Sequence, residues 1–272
     1  MKRFILVLSA LMLVASLSAQ QRELVILHTN DTHSHIDPVR GGRDDGRGGV
    51  IERAVLVDSV RNSVGKRDFL LLDAGDFSQG SSYFTILGGF LEVDVMNAMG
   101  YDVACLGNHE FDNGPDELAA RLAKAKFKVV CANYDFDGKL GKIVKPYTIV
   151  RKAGRKIGII GLLTDVTEVV DKQYADKMTY KHPAEVVNNL ASFLKEKKKC
   201  DLVICLTHLG YSGEIYCDPE LVEQTRNVDL VIGGHSHTFL KTEKLFKNLD
   251  GEEVPVVQDG CWGINVGEIR VR

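Results

Sequence analysis

Nine short apolar runs, rich in β-branched residues, recur along the chain at 24–27, 69–72, 103–106, 129–131, 157–162, 202–206, 230–232, 254–257 and 264–271. Runs this short and this apolar read as strands buried on both faces. Helical patterns separate them at 50–60, 90–99, 115–125 and 183–197, the first placing apolar side chains at Val50, Ile51, Ala54, Val55 and Val57. Such alternation constrains the chain to an α/β fold. The last helical pattern ends in Lys195, Lys197, Lys198 and Lys199, read as a solvated C-terminal turn that the helix dipole favours.

Polar residues cluster where the apolar runs stop. The run 24–27 leads into His28-Thr29-Asn30-Asp31-Thr32-His33, 69–72 into Asp73-Ala74-Gly75-Asp76, and 103–106 into Gly107-Asn108-His109-Glu110. Later, 202–206 leads into Thr207-His208 and 230–232 into Gly233-Gly234-His235-Ser236-His237. Taken singly, each such residue is an ordinary turn or capping residue. Together they are different, because groups beyond the carboxyl ends of strands in an open α/β sheet converge on one crevice. Asp31, His33, Asp76, Asn108, His208, His235 and His237 offer oxygen and nitrogen donors and no thiolate. That set suits two borderline divalent cations such as zinc, manganese or iron better than a calcium cage or a copper thiolate site.

Asp-x-His, Gly-Asp-x-x-x-Gly, Gly-Asn-His-Glu, Thr-His and Gly-His-x-His follow one another here in the order seen in calcineurin-like metallophosphoesterases, which the chain resembles from about residue 24 to its end. More narrowly, 28–33, 75–81, 107–112 and 207–210 are similar to the 5'-nucleotidase and UDP-sugar hydrolase branch. The resemblance implies a four-layer α/β/β/α sandwich of two mixed sheets, with both cations where strand ends of the two sheets meet. It also implies that Asp31, His33 and His237 hold one cation and Asn108, His208 and His235 the other. Asp76 is implied to bridge them, since cations about 3.5–4 Å apart repel unless a shared carboxylate lies between them. His109 resembles the family's catalytic histidine, turned toward the phosphate, and Asp112 the partner that fixes its tautomer. Asp112 has a second reading, as a cap for the helix that begins near Pro115.

Met1-Lys2-Arg3, the apolar stretch 4–14 and the small residues that follow read as a secretory signal peptide over 1–19. A single domain over 22–272 is expected, in a periplasmic or extracellular setting, with no later segment apolar enough to span a bilayer. The net charge of −3 gives no footprint for a nucleic-acid polymer, so a small phosphoester, a nucleotide first of all, is the expected substrate. Cys105, Cys131, Cys200, Cys205, Cys217 and Cys261 lack Cys-x-x-Cys spacing; export permits disulfides, and burial is the reading for Cys105, Cys131 and Cys205. Residues 38–49, mixing Gly41, Gly42, Gly46, Gly48 and Gly49 with charged residues, form a loop that is either a rim of the active site or plain surface.

The function these features imply is hydrolysis of nucleoside 5'-monophosphates or related nucleotides. A broad phosphomonoesterase or phosphodiesterase, and a non-catalytic metal-containing binding module, are the alternatives. Nucleotidases of this type carry a further C-terminal domain that holds the base, and none is expected within 22–272. The lone Trp262 is therefore expected to pack in the core. A separate chain carrying the base-binding domain is expected to dock around the crevice, with 41–49 in its footprint.

Overall fold

The structure, a computed structural model, describes residues 22–272 apart from 177, 214 and 215. The expected signal peptide lies outside the described residues. The strands, in chain order, are β1 (Leu24–Thr29), β2 (Phe69–Asp73), β3 (Val103–Cys105), β4 (Lys128–Val130), β5 (Tyr134–Asp135), β6 (Tyr147–Lys152), β7 (Arg155–Leu163), β8 (Thr179–Tyr180), β9 (Leu202–His208), β10 (Leu230–Ile232), β11 (Lys244–Lys247), β12 (Glu253–Val257) and β13 (Gly267–Val271). One sheet runs β13-β1-β2-β3-β4 and the other β11-β12-β10-β9-β7-β6, with β5 and β8 forming a small separate pair. In the first sheet β1 to β4 are parallel and β13 is antiparallel to β1. In the second, β7, β9, β10 and β12 are parallel, flanked by antiparallel β6 and β11.

Period-two alternation explains how these strands stack. Leu24, Ile26, Leu70 and Leu72 of the first sheet meet Ile157, Ile159, Ile204 and Leu206 of the second in one buried layer between the sheets. Their neighbours face outward: Leu27, Phe69 and Leu71 pack under Val57, Val93, Met96 and Leu118, and Ile160, Leu162 and Val203 pack under Val187, Ala191 and Leu194. Helices Val50–Val64, Phe90–Met99 and Pro115–Leu122 cover one outer face and helix Pro183–Ser192 the other. The result is the α/β/β/α sandwich. Where β4 approaches β7, the Ala132 amide donates to the Gly161 carbonyl at 2.8 Å, and an added Cβ at Gly161 would stand 2.2 Å from the Val130 carbonyl oxygen. Only glycine permits that approach.

The boundaries differ from the sequence reading in instructive places. The run 264–271 is strand only from Gly267, because the Ile264 amide turns back to the Cys261 carbonyl with Trp262 and Gly263 at positive φ. The helical pattern 183–197 is α-helix to Ser192 and then widens into a π-turn over Phe193–Lys197. Lys195 there pairs with Asp229 at 2.7 Å. Strands β6 and β11 escaped the sequence pattern because they are edges, half-exposed and interrupted by charge. All six cysteines are free thiols. Among the described residues no helix is long and apolar enough to cross a membrane.

Candidate metal centre

The five polar strand ends meet at one end of the sandwich. The loops after β1 and β2 are laced together: the amides of Asp31, His33 and Ser34 donate to the carbonyls of Gly75, Asp76 and Phe77 at 2.9–3.1 Å. The second sheet reaches across to them. His208, at the end of β9, donates from Nδ1 to the Ala74 carbonyl at 2.7 Å, and the His235 amide donates to both Asp31 carboxylate oxygens at 3.1 and 3.0 Å. Hydrogen bonds across the sheets therefore fix the site as well as the apolar layer below it.

The histidines and carboxylates fall into two groups, Asp31 with His33 and His237, and Asp76 with His208 and His235, the donor atoms of each lying within 4.8 Å of one another. His33 Nε2 faces His237 Nε2 at 2.9 Å. Asp31 Oδ1 is 3.3 Å from His237 Nε2 and 3.8 Å from His208 Nε2, while Asp76 Oδ2 is 3.0 Å from His208 Nε2 and 3.9 Å from His33 Nε2. Each carboxylate thus touches both groups. Asn108 is buried, and its Oδ1 has no hydrogen-bond partner.

Backbone strain concentrates in the same residues. Asp31, His33, Asp76, His235 and His237 all have positive φ, between 45° and 77°. Asp and His tolerate the left-handed region better than most residues, yet at a cost of order 1–3 kcal/mol each such conformations persist only where the surroundings impose them. Gly107 removes a further obstacle, since a Cβ there would lie 2.1 Å from Asp76 Oδ1.

The electrostatics ask for cations. Burial works to raise the Asp76 carboxyl, but the imidazoles of His208 and His33 outweigh it and hold the group below the usual carboxylate range. Burial likewise opposes charge on His208, and Asp76 and Asp31 overcome it and push the imidazole up. The Asp31 carboxylate raises His237, whereas burial lowers His33. Two buried carboxylates thus draw positive charge, and a divalent cation meets that need with the same lone pairs. By donating from Nδ1, His208 presents Nε2 as the free donor. The nitrogen and oxygen set and the unpartnered Asn108 Oδ1 fit borderline divalent metals.

His109 lies at the rim. Its amide donates to Asp76 Oδ1 at 2.9 Å, its ring is 5.4 Å from that of His33, and its Nδ1 faces Asp112 Oδ2 at 3.0 Å. That contact, first among the causes, raises the His109 pKa. Asp112 is not the helix cap, because Gly114 occupies that position without a side-chain hydrogen bond. Sequence reasoning assigned no role to Glu110. Its buried carboxylate accepts from the amides of Asp76, Ser78 and Gly107 at 2.9, 3.0 and 2.7 Å, and the Arg121 guanidinium donates to its backbone carbonyl. The signal was its place in Gly-Asn-His-Glu. Trp262, expected in the core, is 37% exposed.

A family model, calcineurin-like phosphoesterase, matches residues 24–239. The chain belongs to that family. It is similar to a snake venom 5'-nucleotidase of Crotalus adamanteus, 34% identical over 94% of this chain and 46% of that protein. Among solved structures, a 5'-nucleotidase precursor from Thermus thermophilus has a TM-score of 0.83 and 35% identity, covering 92% of this chain and 51% of that one. The calcineurin-like phosphoesterase YfkN from Bacillus subtilis has a TM-score of 0.72 and 25% identity, over 92% of this chain and 85% of that one. The chain spans about half the length of the curated 5'-nucleotidase it matches.

Proposed function

We propose that this chain is an exported phosphoesterase that hydrolyses nucleotide phosphate esters with two divalent cations, zinc, manganese or iron. The observation that carries the reading is the pair of histidine–carboxylate groups, each within reach of both Asp31 and Asp76, beside a histidine held by its own aspartate. Asp31, His33 and His237 would hold one cation, Asn108, His208 and His235 the other, and Asp76 both. Bound there, such a pair supplies the acidity that makes water a nucleophile near neutral pH and the charge that grips phosphoryl oxygens.

The chain's own residues do the rest. Asp76 offsets positive charge from a backbone that Glu110 holds through three amides. His109, about a third exposed at its side chain, carries a proton that Asp112 stabilises, placed to neutralise the phosphoryl group or to protonate the leaving oxygen. The 5'-nucleotidase names of the relatives support nucleotides as substrates. Residues 22–272 act as one catalytic unit in this reading. Phosphate release from AMP, on metal-stripped protein with each metal added back, tests it: release restored by a divalent metal and abolished by chelator is expected. An inert protein under every metal would overturn the reading.

A further inference from the structure

A cavity of about 660 Å³ lies between the glycine-rich loop and Trp262, walled in part by residues that adjoin the proposed ligands in sequence. It is within the range that holds a small organic ligand. Ser34, which follows His33, lines it, as do His35, Ser81, Tyr83 and Trp262. Consecutive Cα atoms are about 3.8 Å apart, so this wall begins one residue from the proposed ligands.

Trp262 is built into this wall at some expense. Its φ of 62° is unfavourable for so bulky a residue. The conformation is held because its amide donates to the Asp31 carbonyl at 2.6 Å, and the ring stacks on His35 at 5.1 Å with 20° between planes. His35 in turn bonds through Nδ1 to the His33 carbonyl at 3.0 Å. Gly48 lets the loop close in, since a Cβ there would approach the Trp262 carbonyl oxygen to 3.3 Å. A strained, solvent-facing indole tied to the backbone of two site residues is poorly explained as core packing. It is well explained as a platform.

We propose that this cavity receives the planar aromatic part of the phosphoester's leaving group, such as the base of a nucleoside, stacked on Trp262. The leaving-group role rests on the phosphoesterase reading. Stacking accepts any ring, because every base has a π-face, so the cavity separates esters with a ring from those without one far better than it separates one base from another.

Trp262 is the chain's single tryptophan, and its emission reports on the cavity. Metal-stripped protein is titrated with adenosine, uridine, phenol and ribose, exciting where tyrosine does not absorb. Saturable quenching by both nucleosides and none by ribose is expected; quenching by phenol alone would assign the cavity to aryl esters and overturn the nucleobase assignment. No saturable quenching by any ring would overturn the proposal, while metal-dependent hydrolysis of a simple phosphoester would leave the phosphoesterase reading standing. Quenching without hydrolysis of any phosphoester under any metal would overturn the leaving-group role together with that reading. In Trp262→Gly, which suits the positive φ and removes the ring, the ratio of kcat/KM for AMP to that for ribose 5-phosphate should fall about tenfold, within the range of one base stack. An unchanged ratio would overturn the proposal even if the variant is destabilised, because both substrates are read on the same folded molecules.

Discussion

Asp76, the proposed bridge, is buried among His33, His208 and the His109 amide, with Oδ2 3.0 Å from His208 and 3.9 Å from His33. If Asp76 bridges two cations, a neutral amide in Asp76→Asn could not offset them, and we expect one metal per chain and almost no turnover. Metal analysis checks this; two metals with normal turnover would remove Asp76 from the bridge. His109 should behave in the opposite way, because its Nδ1 is engaged by Asp112 and its ring belongs to neither donor group. His109→Ala is expected to keep its metal content while turnover falls by roughly 10²- to 10⁴-fold, the usual loss for a positioned acid or base. Glu110 contributes through the backbone. Truncation to Ala would strand three buried amides, and at about 1–3 kcal/mol for each group left unsatisfied the variant should unfold at markedly lower denaturant, an outcome read from the urea midpoint.

At the scale of elements, the decisive contact is between β4 and β7, where glycine lets two layers touch. Gly161→Ala would press a Cβ against the Val130 carbonyl, and overpacking of this kind costs about 1–3 kcal/mol. The urea midpoint should fall accordingly with the slope unchanged; a midpoint equal to that of the parent would mean that the sheets have room to separate there. Edge strands tell a related story. β6 and β11 close the second sheet antiparallel to its parallel centre, and their charged, half-exposed sequences suit an edge, where unbroken apolar strands invite aggregation.

Across the whole molecule, the two sheets converge on the donor groups, so metal binding and folding are linked. A ligand at about a hundred times its dissociation constant stabilises the native state by about 2.7 kcal/mol. For a domain of this size each kcal/mol moves the melting temperature by about 2–4 °C. Chelation is therefore expected to lower the melting temperature by roughly 5–10 °C, and re-addition of metal to restore it. Calorimetry on one sample through both steps checks this, and an unmoved transition would count against cations bridging the two sheets.

The α/β class, the positions of the buried strands and the polar strand ends that meet at the site were legible in the order of residues, because these are local properties. A strand buried on both faces must be apolar throughout, and a polar residue that interrupts its end stands out against that background. Family resemblance extended this to the layer order of the sandwich; at the site, Asp31 gathers with His33 and His237, and Asp76 with His208 and His235. Other features were not legible. Whether His235 reaches Asp31, whether Glu110 serves three amides, and whether Trp262 turns inward or outward depend on contacts between segments as much as two hundred residues apart, and no local pattern encodes a distance across a folded core. Trp262 is the clearest instance: hydrophobicity assigns it to the interior, while a left-handed backbone pinned by Asp31 turns the same indole to the wall of a cavity.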